Sequence, residues 1–326
     1  MGREEKGNSF LEERPRTGDK DKDNEGPVGN FFGRILENRS GQPIGRPAGS
    51  GRAKNERMTR GVAADFQGNR APLNYIVLLE LARNDFRMKY LGSHLGIIWA
   101  FAQPTANVLV LWFVVRKALG LSPVENFPYV LWLVAGIIPW YFFSDCVNNA
   151  THAVVGNSHL VKKVVFQVGT LPLIKILSAL IIHLVFLGIL VVLLALYGHS
   201  PTVHAVQAVY YLAASVVLLL GISWLTSSVI VFVRDIGPVI GLGLQLLFWI
   251  TPIFWSLSGL SPRTRFLLKL NPLAYIVEGY RDAFINRVWF WERGALSLYF
   301  WAVAVVVFVA GALVFRRLRP HFADVL

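Results

Sequence analysis

The sequence predicts an all-α membrane protein: six transmembrane helices, an N-terminal amphipathic helix at the interface, and short external helices before the last span. Three observations lead there. Hydrophobic residues fill 54% of the 326 positions and charged residues only 16%, where a soluble domain carries roughly a quarter charged. Apolar blocks with at most one charged residue recur, the first free of charge from Leu95 to Val115, and each reaches the ~20 residues that carry a helix through a bilayer. Basic residues gather in the short segments between alternate blocks, as they do on the cytoplasmic side of membrane proteins.

Residues 1–70 are a different material. They hold 14 of the 32 Lys and Arg and 11 of the 20 Asp and Glu, with much Gly, Asn and Pro and few aromatics. Such a segment buries too little apolar surface to offset its ordering entropy, so we expect a disordered cytoplasmic tail. It lacks the apolar core of a signal peptide. The net charge of +12 fits loop bias and lipid headgroups rather than nucleic acid. Cys146 is the single cysteine, which excludes an intrachain disulfide framework and a cysteine metal site.

Residues 71–92 predict the interface helix. Pro72 suits a first helical turn, Leu73, Val77 and Leu81 recur at helical spacing, and Asn74, Arg83, Asn84 and Arg87 supply polar positions. A soluble helix packed on another subunit is the alternative. From Arg87 to Trp99 the chain passes without a break from basic to apolar, the join between water and lipid. The spans follow at about 95–115, 128–146 (with Pro139 inside), 173–197, 206–233, 237–256 and 295–315. The fifth carries three glycines and two prolines between Gly237 and Trp255, which predicts a kink or break near Thr251-Pro252.

Orientation follows from the loops. Arg83, Arg87 and Lys89, then Lys162 and Lys163, then Arg234, then Arg316, Arg317 and Arg319 all share one side if both termini are cytoplasmic. The connection from Leu257 to Gly294 runs against this rule. It carries Arg263, Arg265, Lys269, Arg281, Arg287 and Arg293, yet it should be external. Its apolar runs predict short helices partly embedded at the outer face.

The chain contains no Gly-x-x-x-x-Gly-Lys-[Ser/Thr] phosphate loop, no His-Glu-x-x-His and no Gly-x-Ser-x-Gly. His183 lies inside the third span; it is either a proton or ligand site or a neutral ring bonded to a neighbouring helix. Asp145 either lines a polar pathway or caps the second span. Gln103, Asn107 and Gln245 are polar groups at membrane depth, serving interhelical hydrogen bonds or a carbohydrate path. Trp99, Trp140 and Tyr141 belong to an interfacial belt or stack on sugar rings.

Several segments, taken in order, resemble the permease subunit of ABC-2-type exporters of O-antigen, capsule, teichoic acid and related glycans. They are Arg87-x-Lys89-Tyr90-x-x-Ser93-x-Leu95-Gly96-x-x-Trp99 with Gln103-Pro104; Phe127-Pro128-Tyr129 with Gly136-x-x-Pro139-Trp140-x-x-Phe143; and Asn157-x-x-Leu160-Val161-Lys162-Lys163-x-x-Phe166. Arg234-Asp235, Thr251-Pro252-Ile253 and Asn271-Pro272 with Arg281 complete the set. The likeness covers about residues 72–322.

The resemblance implies a homodimer in the bacterial inner membrane, bound to two copies of a separate ABC ATPase that holds the ATP and Mg. No cofactor or metal is expected on this chain, and it is not expected to be an enzyme. The resemblance further implies ATPase contacts around Asn157, Lys162, Lys163 and Phe166. It also implies a lipid-linked glycan path, for which Trp99, Gln103, Asn107, Trp140, Tyr141 and Gln245 are candidates. Arg83, Arg87 and Lys89 are candidates to meet a lipid pyrophosphate. The chain departs from the family where Gln167-Val168-Gly169 follows Phe166 instead of a proline and a charged pair. An ABC-2 exporter of small lipids or drugs is the alternative within transport. A membrane-embedded sugar transferase needs clustered carboxylates, and only nine acidic residues, scattered, lie outside the tail.

Overall fold

The computed structural model describes residues 75–91, 96–118, 120, 127–161 and 167–326; the expected tail over 1–70 lies outside them. Among the described residues every regular element is helical. The principal helices are α1 (Tyr75–Leu91), α2 (Gly96–Trp112, prolonged by a π-helical stretch Phe113–Ala118), α3 (Tyr129–Thr151), α4 (Thr170–Leu196) and α5 (Gln207–Val229). They continue with α6 (Ile236–Ile250), α7 (Pro262–Lys269), α8 (Pro272–Arg281) and α9 (Gly294–Leu318).

Among the described residues five stretches are long and apolar enough to cross a membrane: Gly96–Ala118, Tyr129–Thr151, Thr170–Leu196, Val203–Val229 and Phe290–Val325. The remaining expected span is α6, with 15 residues. That is about 22 Å of helix, short of the ~30 Å hydrocarbon core. Pro252 sets its end. The residue before a proline is driven out of the helical region, and Thr251 sits extended at ψ 136°.

Helix α3 is the centre of the bundle: Leu131, Leu133, Ala135, Cys146 and Ala150 on it are fully buried. Helices α2, α4, α5, α6 and α8 all pack on it. Helices α5 and α9 form the closest pair, because glycines face each other. A Cβ on Gly221 would lie 2.6 Å from the Phe308 backbone, and one on Gly311 would strike the Gly221 carbonyl. Small residues let helix backbones meet where lipid supplies no hydrophobic drive.

Hydrogen bonds gather the helix ends into two groups. At one end the Thr151 hydroxyl lies 3.0 Å from that of Thr226, and the Trp224 indole donates to the Gly169 carbonyl. At the other, Gln207 grips the connection into α9, donating to the Val288 carbonyl and accepting from the Phe290 amide. The two short helices before the last span have side-chain N-caps, each followed by proline at N1. Ser261 caps α7 and Asn271 caps α8.

The basic connection from Leu257 to Gly294 now has a physical account. Arg281 is fully buried and bonded, and Arg293 pairs with buried Asp282. Arg265 donates to the carbonyls of Ser258 and Leu260. These cations are spent inside the fold, so a loop-charge count overstates the free charge of this segment.

Candidate functional site

Helix α2 turns its polar candidates outward. Trp99, Gln103 and Asn107 follow at four-residue intervals, which places them on one helix face, and all three are exposed. None of α2's own side chains is buried. Helix α6 is likewise open: Gln245 is exposed, with Leu246 and Trp249 beside it.

Two consecutive residues of α3 join these flanking helices. Tyr141 reaches α2, where the Asn107 amide donates to its hydroxyl at 2.8 Å. Trp140 reaches α6, its ring 5.4 Å from that of Phe248. Trp140 is only 6% exposed, so it supports the face from within rather than standing on it. The aromatic contacts continue from Phe248 to Phe254 and from Phe254 to Trp249. The face therefore offers amides and a phenol beside aromatic planes, which is chemistry suited to a polyhydroxylated chain: hydrogen bonds to hydroxyls and stacking on apolar ring faces.

The basic candidates lie on α1. Arg83 and Arg87 are exposed. Lys89 is engaged: its ammonium donates to both oxygens of Asp145 of α3 at 2.7 and 2.8 Å. A second ion pair, Asp85 with Lys175 of α4, is the less exposed of the two. Together they fasten α1 to α3 and α4. Nothing local marks Asp85 in sequence, since its partner is 90 positions away.

These two pairs differ in expected strength. Asp85→Ala should lower stability by about 2 kcal/mol, as a charge-assisted bond partly sheltered from water. Asp145→Ala should cost less than about 1 kcal/mol, as its pair with Lys89 is screened. Thermal unfolding in detergent checks the order.

Asn157 is buried, and its amide donates to the Ala153 carbonyl at 2.8 Å, holding the turn after α3. Lys162, Lys163 and Phe166 lie outside the described residues. His183 is bonded to a neighbouring helix: its Nε2 is 2.8 Å from the Tyr280 hydroxyl on α8, and its ring packs on Phe142. No group of three or more His, Cys, Asp or Glu able to hold a metal occurs among the described residues.

Residues 77–285 match the family of ABC-2 type transporters. The chain belongs to that family. Among curated proteins this ABC-2 chain is similar to the O-antigen export system permease protein RfbA of Klebsiella pneumoniae, 27% identical over 251 residues. That alignment covers 77% of this chain and 95% of the relative. The protein of the same name from Myxococcus xanthus is 27% identical over 250 residues, covering 76% of this chain and 94% of the relative. The polysialic acid transport protein KpsM of Escherichia coli is 24% identical over 201 residues, or 61% of this chain and 77% of that protein. This ABC-2 chain is thus a multi-pass membrane protein and a transporter subunit.

Proposed function

We propose that this chain is the transmembrane subunit of an ATP-driven exporter that moves a lipid-linked cell-envelope polysaccharide across the bacterial inner membrane. The observation that carries the reading is the near full-length match to permeases named for O-antigen export, together with a second match named for polysialic acid. The open amide-and-aromatic face of α2, α3 and α6 supports it. The chain functions as a homodimer, with these open faces turned toward each other around the path. ATP hydrolysis takes place on a separate ABC ATPase pair, which contacts the loop between α3 and α4 and the interface helix α1. Both termini are cytoplasmic.

In this reading the ATPase moves α1, and the ion pairs to Asp145 and Lys175 carry that motion to α3 and α4. Arg83 and Arg87 meet the lipid pyrophosphate. Lys89 joins them if it leaves Asp145.

The test is a depletion strain combined with affinity purification of the full chain. An ATPase should co-purify, and polyprenyl-linked glycan should accumulate on the cytoplasmic side. Accumulation of no glycan, with loss of resistance to small amphiphiles instead, would favour a lipid or drug exporter. Turnover of a lipid-linked sugar by the chain alone would sink the transport reading.

A further inference from the structure

The break after α6 creates a specific problem. Beyond Ile250 the backbone is no longer helical, and the carbonyls of Pro252, Ile253 and Phe254 need donors that a regular helix would have supplied. Irregular backbone at membrane depth survives only where protein groups satisfy it. Here two side chains do so. Arg281 donates from Nη1 to the Pro252 carbonyl at 2.7 Å and from Nη2 to the Ile253 carbonyl at 2.6 Å. Tyr129 donates its hydroxyl to the Phe254 carbonyl at 2.8 Å.

The guanidinium is itself fully enclosed. Its plane lies on the Trp132 ring, 3.3 Å from the centroid, and Nη1 also donates to Glu278 at 2.6 Å. Gly136 makes the space, since a Cβ there would collide with the guanidinium. Asn271 closes the arrangement by donating to the Thr251 hydroxyl at 2.8 Å. Only a planar fork with several donors serves two adjacent carbonyls and a carboxylate at once; a lysine does not.

The turn held in this way carries Phe254 and Trp255. Phe254 packs on Phe248 and Trp249, and the Trp255 indole donates to the Trp249 carbonyl. Trp249 is 57% exposed and shares α6 with Gln245, on the open face.

We propose that Arg281 is the positioning residue for the 251–256 turn, and that this turn sets the width of the aromatic end of the export path. The placement of the turn stands on geometry alone. Calling it part of the path rests on the export reading.

Cysteine reactivity tests it in membranes holding the full chain, permeabilised so that both sides are reached. Cys146, the only native cysteine, is fully buried and serves as an internal check of the bundle. Cysteine introduced by Phe254→Cys is treated with a charged maleimide. Its modification should quicken on the order of tenfold with Arg281→Gln and about threefold with Tyr129→Phe, following the bonds removed. Arg281→Lys should resemble the glutamine variant. Cys146 should stay unmodified throughout, and polysaccharide export should fall in step with the labelling.

An unchanged rate at position 254 with Cys146 protected would overturn the positioning role. If Arg281→Gln exposes Cys146 and so unfolds the bundle, Arg281→Lys decides, and an unchanged rate at position 254 there with Cys146 protected overturns the proposal. Faster labelling with unaltered export would remove the turn from the path. Failure of the glycan reading would show in the depletion strain and leave the labelling result standing.

Discussion

Gly311→Leu is expected to abolish accumulation of the folded protein, and Gly311→Ala to lower its stability by about 3 kcal/mol. A Cβ at Gly311 meets the carbonyl of Gly221, and a Cβ at Gly221 meets the Phe308 and Val307 backbone. Backbone cannot rotate aside as a side chain does. Helices α5 and α9 would have to separate, losing contacts along their whole length. Gly188 on α4 is the control, because nothing lies within 4 Å of a Cβ there. Gly188→Ala should be neutral or gain up to about 1 kcal/mol from helix propensity. Membrane-fraction yield and thermal unfolding of the three variants check the contrast. Equal behaviour of Gly188→Ala and Gly311→Ala would refute the close-packing account.

Asp282→Ala is the second large effect, expected at about 3 kcal/mol. Asp282 is fully buried just beyond α8, and burial pushes its carboxyl above the ordinary carboxylate range while Arg293 pulls it back. Arg293 Nη2 donates to its Oδ1 at 2.7 Å, and Asn286 donates to the same oxygen at 2.8 Å. Removing the carboxylate strands the partner cation and frees the Asn286 amide. Arg293→Ala alone should cost a similar amount. The double variant Asp282→Leu with Arg293→Met should recover most of the loss, since a buried pair replaced by apolar groups leaves no uncompensated charge. A strictly additive double variant would show that the two residues do not act as a pair.

The membrane helices were legible because their signal is local. A run of uncharged residues near twenty is a property of the run itself, and so is the stop that Pro252 imposes on α6. Reading the fifth span as 237–256 counted residues beyond that stop. The helix is shorter, and the residues after it form a turn supported from outside. The candidate site was legible as residue types but not as roles. Tyr141 and Trp140 are neighbours in sequence, yet one bonds Asn107 on α2 and the other packs on Phe248 of α6. Lys89 is a lipid-pyrophosphate candidate by its place in the sequence, and its ion pair is not legible there because Asp145 lies 56 positions on.

Composition and periodicity alone determined that this chain is helical, crosses a membrane several times, begins with a polar tail and carries no phosphate loop. Each of these depends on residues a few positions apart, within one helix or one loop. The tertiary structure decided which charges are spent. Arg281 counts as a loop cation in the sequence. In the fold it reaches Trp132, 149 positions away, and fills the space that Gly136 leaves. A buried cation differs from an exposed one only by its partners, and those partners are brought together by packing, which no local pattern records.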